Sequence, residues 1–410
     1  MTKNSPASII LWSSVSVVFV SFAFSCYSLF VPEFLREFSW TSSDVAIPFS
    51  LAMLAWGVTQ PLAGALADAR GTRLVILGGI LVTALGFVLM SFAQNLWQIA
   101  FAFGVLIGVA MSACGSITFS LFISKWFTGS KRGSAVGIVQ AATPASPMLL
   151  APVFFFAMAN FGWRPAALGF GLFLLLVSLP VAYLTIHDPE AGPAAGHASE
   201  TPGHWQEILA ALRNPPMRNL FISRFACGLS FLMVPYLAVA AIDSGLTPAQ
   251  GAFAVSVYGA SSVLGCVAGG LASDRFGRVN TLVMTYVIRG VGAVVLGLFA
   301  MDAIWFYLAV ALASGPIFAT ATINNVQVFE MAGARRAGLI MGASFVLHQV
   351  SAAVGPYVSG LLFDWAHTYR ISFLGLGVFL LLAAIPAART RMNTDTFPQP
   401  AAGSSSSSLR

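Results

Sequence analysis

His348 and Arg289 are the side chains whose chemistry is most informative, because each lies well inside a long apolar run. At about 1.5 Å per residue, a position about ten residues into such a run reaches the middle of a ~30 Å hydrocarbon layer. An imidazole can donate a hydrogen bond to a carboxylate and, on protonation, supply charge and a proton. A guanidinium keeps its charge and needs a partner there. The pair predicts an anion site, with two alternatives: a structural histidine bonded to a carbonyl, and an arginine compensated by carbonyls or a helix C-terminus.

The whole composition explains why these two residues stand out. The 410 residues include only 20 Lys and Arg and 14 Asp and Glu, so that 8% are charged, whereas 58% are hydrophobic. A soluble domain has roughly 25% charged residues and needs them for solubility. The composition excludes a cytosolic enzyme, a nucleic-acid-binding protein and a disordered scaffold. It predicts a helical protein with many membrane spans.

Apolar runs of about 20 residues predict twelve spanning helices. With the N-terminus inside, fifteen Lys and Arg lie in inner segments, whereas only Arg36, Arg164 and Arg370 lie outside. This asymmetry is the positive-inside pattern, and it predicts that both termini are cytoplasmic. The predicted spans are 9–31, 44–67, 73–93, 96–124, 134–160, 164–186, 218–242, 249–272, 279–300, 303–328, 338–363 and 371–388.

Uncharged polar side chains in the spans could complete a binding site. Arg224, by contrast, is expected to reach the membrane interface, because the seventh span is predicted to start only six residues earlier. The four cysteines lack metal-ligand spacing, so neither a metal nor a cofactor is expected. The uncharged candidates are Gln349, Tyr27, Gln140, Thr143, Tyr236 and Asn325.

A repeat with an offset of 206 residues relates the two halves of the chain. The loop G-A-L-A-D-A-R-G-T-R at 64–73 reappears as G-L-A-S-D-R-F-G-R at 270–278. The glycines permit a tight turn, and the aspartates could pair with nearby arginines or cap helix N-termini when the halves close. Glu330 is expected to pair with Arg335 or Arg336. The predicted gating residues are Asp68, Arg70, Arg73, Asp274, Arg275, Arg278 and Glu330.

With this loop motif, its duplication and the twelve spans, the chain resembles the major facilitator superfamily over essentially its whole length. The resemblance implies an all-α polytopic membrane protein whose twelve transmembrane helices form two six-helix pseudo-repeats. It also implies a cavity between the halves. The expected organisation is a first bundle at 1–186, a cytoplasmic linker at 187–217, a second bundle at 218–388 and a flexible tail at 389–410.

A finer resemblance is to the monocarboxylate and oxalate/formate transporter branch. It rests on K-W-F at 125–127, K-R-G at 131–133, F-G-W-R at 161–164 and, in the second half, on His348-Gln349, Gly355-Pro356 and Asp364. Members of that branch often carry an arginine in the eighth helix. Here the comparable stretch, 263–266, is uncharged, and an arginine appears one helix later, at Arg289. Anion-binding roles therefore do not transfer directly.

The expected function is secondary transport of a small organic anion, monocarboxylate-like, by alternating access with proton symport. Alternatives are an organic-anion exchanger, a drug or neutral-solute permease of the same fold, a transporter-like receptor and, from another class, an integral membrane enzyme such as an acyltransferase. A cationic-drug exporter is disfavoured because no acid is expected at mid-depth in a span. The expected setting is the inner (plasma) membrane, with the anion, protons and lipid as partners, no nucleic acid, and a monomeric protein.

Overall fold

Twelve long apolar helices make up most of the molecule. The computed structural model describes residues 6–127, 130–188, 204–299 and 302–390. We number the spanning helices α1 to α12, and a shorter helix, His204–Arg213, the linker helix, precedes α7. Their bounds are α1 Ala7–Phe38, α2 Ser42–Arg70, α3 Thr72–Ser91, α4 Leu96–Trp126, α5 Lys131–Phe161, α6 Trp163–Thr185, α7 Pro215–Asp243, α8 Pro248–Phe276, α9 Arg278–Leu298, α10 Ala303–Gly333, α11 Gly338–Ala366 and α12 Arg370–Ala388.

The predicted spans and the predicted repeat are confirmed by the helix ends. Gly71 and Gly277 adopt φ values of 91° and 80°, which end α2 and α8 and let the next helix begin immediately. The other ends of these two helices also match, since Thr41 and Thr247 both form capping boxes. The same local chemistry thus bounds the second helix of each six-helix half.

The first helix of each half is interrupted near its middle. Residues Phe22–Cys26 in α1 and Ser230–Tyr236 in α7 form tighter 3-10 turns. Pro235 lacks a backbone donor, which disfavours a regular α-helix in the α7 segment. Such mid-helix segments often mark a hinge, and this one places the Ser230 hydroxyl among the polar side chains described below.

The two halves meet through α1 against α7, α2 against α11 and α5 against α8. Glycines permit the close approaches. A Cβ on Gly259 of α8 would lie 2.7 Å from the Pro144 carbonyl oxygen of α5, and one on Gly57 of α2 would lie 2.8 Å from Cβ of Gln349.

The linker helix packs on α7 and α11. We call the end of the bundle that holds this helix the linker end, and the opposite end the distal end.

Hydrogen bonds hold the halves together at the distal end. The Asp364 carboxylate of α11 accepts the backbone amides of Ser42 and Ser43 at the start of α2, at 2.8 and 3.0 Å. The Tyr236 hydroxyl donates to the Ser42 carbonyl at 2.7 Å, and the Ser42 and Tyr369 hydroxyls lie 3.1 Å apart. We call these five residues the distal lock.

Burial further favours the protonated form of Tyr369, one of the two tyrosines in the distal lock. It raises the pKa of the Tyr369 phenol above its ordinary value, because the charged phenolate is costly away from water. The hydroxyl therefore remains a hydrogen-bonding group throughout the physiological pH range.

A cavity of about 800 Å³ lies near the linker end, mainly beside the second half. It is lined by Pro61 of α2, by the linker-end parts of α7 and α11, and by Ile208 and Leu212 of the linker helix. The distal end is thus closed by the lock, and the cavity lies toward the opposite end.

Candidate functional site

Polar side chains from four helices converge inside the second half, and two of them are arginines. We call this group the arginine cluster. The helices α7, α9, α10 and α11 contribute to it, and its members are buried. They are Arg224, Cys227, Ser230, Tyr286, Arg289, Thr320, Asn324 and His348.

Arg289 lies at the centre of the cluster and is fully buried. Its Nη1 donates to the Thr320 hydroxyl at 3.3 Å and to Sγ of Cys227 at 3.7 Å, and its Nη2 donates to the Ser230 hydroxyl. Its Nε atom has no partner. The partners are neutral groups rather than the carbonyls or helix C-terminus considered from sequence, so nothing among them balances the charge.

Arg224 belongs to the same cluster, and the prediction of an interfacial position is wrong. Its side chain is only 3% exposed, and Nη1 donates to the Ala321 carbonyl of α10 at 3.1 Å. The reason is the direction of the side chain, which turns into the bundle toward α10 rather than toward the helix end. The start of α7 lies at Pro215 rather than Arg218, which places Arg224 roughly 14 Å from the helix start at the usual rise.

The cluster carries two positive charges without a negative one. Among the side chains that the structure describes, the buried charged residues are Arg224 and Arg289, and no buried Asp or Glu accompanies them. Burying an ion costs several kcal/mol unless a partner compensates it. Hydroxyl, thiol and carbonyl acceptors offset only part of this cost, so the site is electrostatically suited to an anion.

His348 connects this cluster to the contact between the halves. Its imidazole is 6% exposed, its Nδ1 has no hydrogen-bond partner, and its ring packs against Phe231 and Phe345 at 5.6 and 6.3 Å. Phe345 in turn meets Trp56 of α2 at 5.6 Å. The neighbouring Gln349 is buried against Gly57 with an unpartnered Nε2. A movement between the halves would therefore change the packing around His348.

Gly228 sets the position of His348, because α7 and α11 touch there. A Cβ at this glycine would overlap the His348 carbonyl oxygen and the Ser351 hydroxyl, and would lie 2.6 Å from Nδ1 of the imidazole. We expect Gly228→Ala to destabilise the protein by about 1–3 kcal/mol through overpacking, measured by thermal unfolding in detergent.

Gly375→Ala is the matched control for this substitution. A Cβ on Gly375 of α12 meets nothing within 4 Å, so we expect alanine there to be neutral or slightly stabilising. Equal unfolding temperatures for the two variants would show that α7 and α11 do not pack as described.

The other predicted binding residues lie apart from the cluster. Tyr27 donates to the Val45 carbonyl at 2.8 Å within the first half, and Gln140 donates to Ser120 at 2.7 Å between α5 and α4. Thr143 is buried with an unpartnered hydroxyl beside α8. Tyr236 forms part of the distal lock. Asn325 is half-buried, whereas its neighbour Asn324 is the fully buried residue.

The loop aspartates are exposed, and neither takes part in an ion pair among the described residues. The amides that start α3 are instead capped by Asp188, at 3.2 and 3.0 Å from Thr72 and Arg73. Arg73 also donates to the Tyr183 carbonyl at 2.7 Å. The predicted pairings of Asp68 and Asp274 are therefore not formed in this conformation.

Glu330 pairs with Arg278, and the expected pairing with Arg335 or Arg336 cannot be compared with it among the described residues. The side chains of those two arginines lie outside the described residues. Both members of the Glu330 pair are more than two-fifths exposed, and such pairs contribute about 0–1 kcal/mol. Arg70 and Arg275 are also exposed.

Sequence reasoning missed two groups of residues. The earlier start of α7 was readable from Asn214-Pro215-Pro216, since an Asn followed by prolines is typical of a helix start, but the burial of Arg224 was not. The distal lock had no local signal, because Ser42 and Asp364 are separated by 322 positions.

Comparison with known sequences gives a consistent picture. The family model described as Major Facilitator Superfamily matches residues 13–356. The uncharacterized MFS-type transporter YcxA of Bacillus subtilis is 24% identical over 92% of this chain and 93% of that protein. Monocarboxylate transporter 13 of Rattus norvegicus is 27% identical over 87% of this chain and 82% of that protein.

Solved structures share the fold. A bacterial homolog of the human lysosomal transporter Spinster, in an inward-facing and occupied conformation, aligns with a TM-score of 0.71 at 15% identity, over 95% of this chain and 98% of that one. A point mutant of the nucleoside transporter NupG aligns with a TM-score of 0.75 at 11% identity, over 93% and 99% of the two chains. At these identities the likeness concerns the fold alone.

Proposed function

Since the chain belongs to the major facilitator superfamily, we propose that it moves a small organic anion across the membrane by alternating access. The observation that carries this proposal is the arginine cluster, with two buried guanidinium groups and no buried acid among the described side chains. The similarity to proteins named monocarboxylate transporters supports a carboxylate as the anionic group.

The transport cycle follows from the two ends of the bundle. In this conformation the distal lock closes one end of the bundle, and we propose that the anion reaches the cluster from the linker end. Release of the lock and closure of the linker end would expose the same site to the other side. We propose that the N-terminus is cytoplasmic, so that the linker end faces the cytoplasm and the distal lock closes the outer side. We place the protein in the plasma membrane as a monomer, with halves at 1–186 and 218–388.

A binding panel tests the anion class directly. We expect purified protein to show a rise in unfolding temperature with carboxylates, and none with their neutral amides or with amines of the same size, because only an anion balances the guanidinium charges. Thermal unfolding across the panel is the measurement. Stabilisation by amines alone would overturn the proposal and favour a cation exporter of the same fold.

Proton symport is the coupling that we propose, with His348 as the group that takes the proton once the bound anion offsets the neighbouring guanidinium charges that oppose protonation. His348 lies beside the contact between the two halves, and it is the only histidine in the described spanning segments. We expect an inwardly directed pH gradient to raise the initial uptake of labelled lactate or a related acid several-fold in proteoliposomes, and His348→Gln to abolish this stimulation. Uptake that responds to a carboxylate inside the vesicle but not to the pH gradient would indicate exchange instead.

Asp68 is proposed to act in the opposite conformation, when the linker end is closed. We expect Asp68→Asn to weaken that closure by about 1 kcal/mol, roughly a fivefold change in the conformational ratio, and to slow uptake. Cysteine accessibility at the linker end measures the shift. Asp302→Asn is the control, since Asp302 is an exposed acid at the distal end. Equal accessibility and uptake in wild-type protein and Asp68→Asn would remove the gating role.

A further inference from the structure

We infer that the arginine cluster selects anions with two carboxylate groups, and that Arg224 binds the second one. This inference rests on the proposed function and specifies its substrate class. Arg224 is the residue on which the inference depends, because Arg289 alone would suit a single carboxylate.

The two guanidinium groups approach from different helices and reach the same stretch of α10. Arg224 comes from α7 and donates to the carbonyl of Ala321, whereas Arg289 comes from α9 and donates to the hydroxyl of Thr320. Tyr286 links the two sides. Its ring centre lies 6.0 Å from the guanidinium carbon of Arg289, and its hydroxyl donates to the Ser223 carbonyl, next to Arg224. The two guanidinium groups therefore lie near each other, and each is held by its own hydrogen-bond partner.

Both guanidinium groups keep donors for a ligand. The Nε atoms of Arg224 and Arg289 are buried and unpartnered, and each side chain is at least 97% buried. A carboxylate binds arginine best through two parallel N–H donors, with Nε as one common member of the pair. Each arginine thus keeps one unused Nε–H donor for its own carboxylate, and binding would exchange Nη contacts with neutral groups for contacts with the anion.

The charge count favours two carboxylates over one. The described part of the cluster holds two fixed positive charges and no acid. A monocarboxylate would leave one guanidinium uncompensated in a buried site, whereas a dicarboxylate would balance both. A single carboxylate that bridges the two arginines is the competing arrangement, and the following test separates them.

Succinate and its half-amide, succinamate, form a matched pair of probes. They have the same length and differ by one carboxylate, so their affinities for the full-length protein in detergent isolate the second charge. We expect succinate to bind at least about tenfold more tightly than succinamate, measured by calorimetry and ligand-induced thermal shift. The affinities for malonate and glutarate, which are shorter and longer than succinate, report the preferred distance between the two carboxylates.

Arg224→Gln completes a double-mutant cycle with the ligand pair. We expect it to weaken succinate binding at least about tenfold and succinamate binding far less, so that the two probes bind the variant alike. Arg224→Lys retains the charge and is expected to keep a preference for succinate. If the glutamine variant does not fold, the wild-type preference still decides the question.

The outcomes separate this inference from the proposed function. Equal affinity for succinate and succinamate, or equal losses for both probes in Arg224→Gln, would overturn the two-carboxylate site and leave anion transport standing. Binding of propionate or lactate without any binding of dicarboxylates would do the same. Failure of every carboxylate to bind would overturn both.

Discussion

An Arg289→Met variant is expected to unfold at a higher temperature than the wild-type protein and to lose anion uptake. In the ligand-free state the Arg289 charge is buried among neutral acceptors near Arg224. Replacing a buried ion by an apolar side chain of similar size often stabilises a protein by about 1–4 kcal/mol. The hydroxyls left behind keep partners in their own helix, since Thr320 donates to the Pro316 carbonyl at 2.7 Å and Ser230 to the Ala226 carbonyl at 3.3 Å.

The loss of uptake should be large. Removing a buried charge that binds an oppositely charged partner typically costs about 2–5 kcal/mol, which is at least about 30-fold in affinity. Thermal unfolding without ligand and uptake into proteoliposomes measure the two effects. Arg36→Met, at an exposed arginine of α1, should change neither quantity. A less stable Arg289→Met protein that still transports would show that Arg289 is a structural residue.

Substitution of Asp364 by asparagine is expected to release the distal lock. The carboxylate accepts two amides at the start of α2, where the helix dipole also favours a negative charge. Hydrogen bonds to a charged group contribute about 1.5–3 kcal/mol, against about 0.5–1.5 kcal/mol for neutral ones. An asparagine retains one acceptor oxygen and brings an N–H₂ group toward the second amide. We expect the conformational ratio to move about 5- to 150-fold toward opening at the distal end, for a change of about 1–3 kcal/mol.

Distances between spin labels measure this shift. Phe161 of α5 and Trp365 of α11 are exposed positions near the distal end, one in each half. Glu33→Gln is the matched control, because it removes an acid at the same end whose partner, Arg36, lies in the same helix. A distance distribution that stays unchanged in Asp364→Asn but changes in Glu33→Gln would mean that surface charge, rather than the lock, holds the distal end closed.

The spans, the repeat and the tight turns at Gly71 and Gly277 could be predicted from the sequence because each depends on local properties. Apolar length specifies a span, and a glycine ending one helix directly before another specifies a positive φ. The prediction for Arg224 failed because its distance from the helix start does not specify which way the side chain turns. The guanidinium group points toward the Ala321 carbonyl of α10 instead of the membrane interface.

The arginine cluster and the distal lock depend instead on how distant helices pack. Sequence places Arg289 at mid-depth but does not specify the rotation of α9, and therefore not whether its partners are carbonyls, hydroxyls or an acid. Similarly, Asp364 and Ser42 meet only because α11 packs against α2 across the two halves. Tyr236 and Asn325 show the same difficulty, since the first supports the lock and the second is less buried than Asn324.

Uptake of a labelled carboxylate by the purified protein in liposomes tests the central claim most directly. The account predicts saturable uptake that unlabelled carboxylates inhibit, that neutral amides of the same size do not inhibit, and that Arg289→Met abolishes. Saturable uptake of an amine or a neutral solute, with no uptake of any carboxylate and no effect of Arg289→Met, would contradict it.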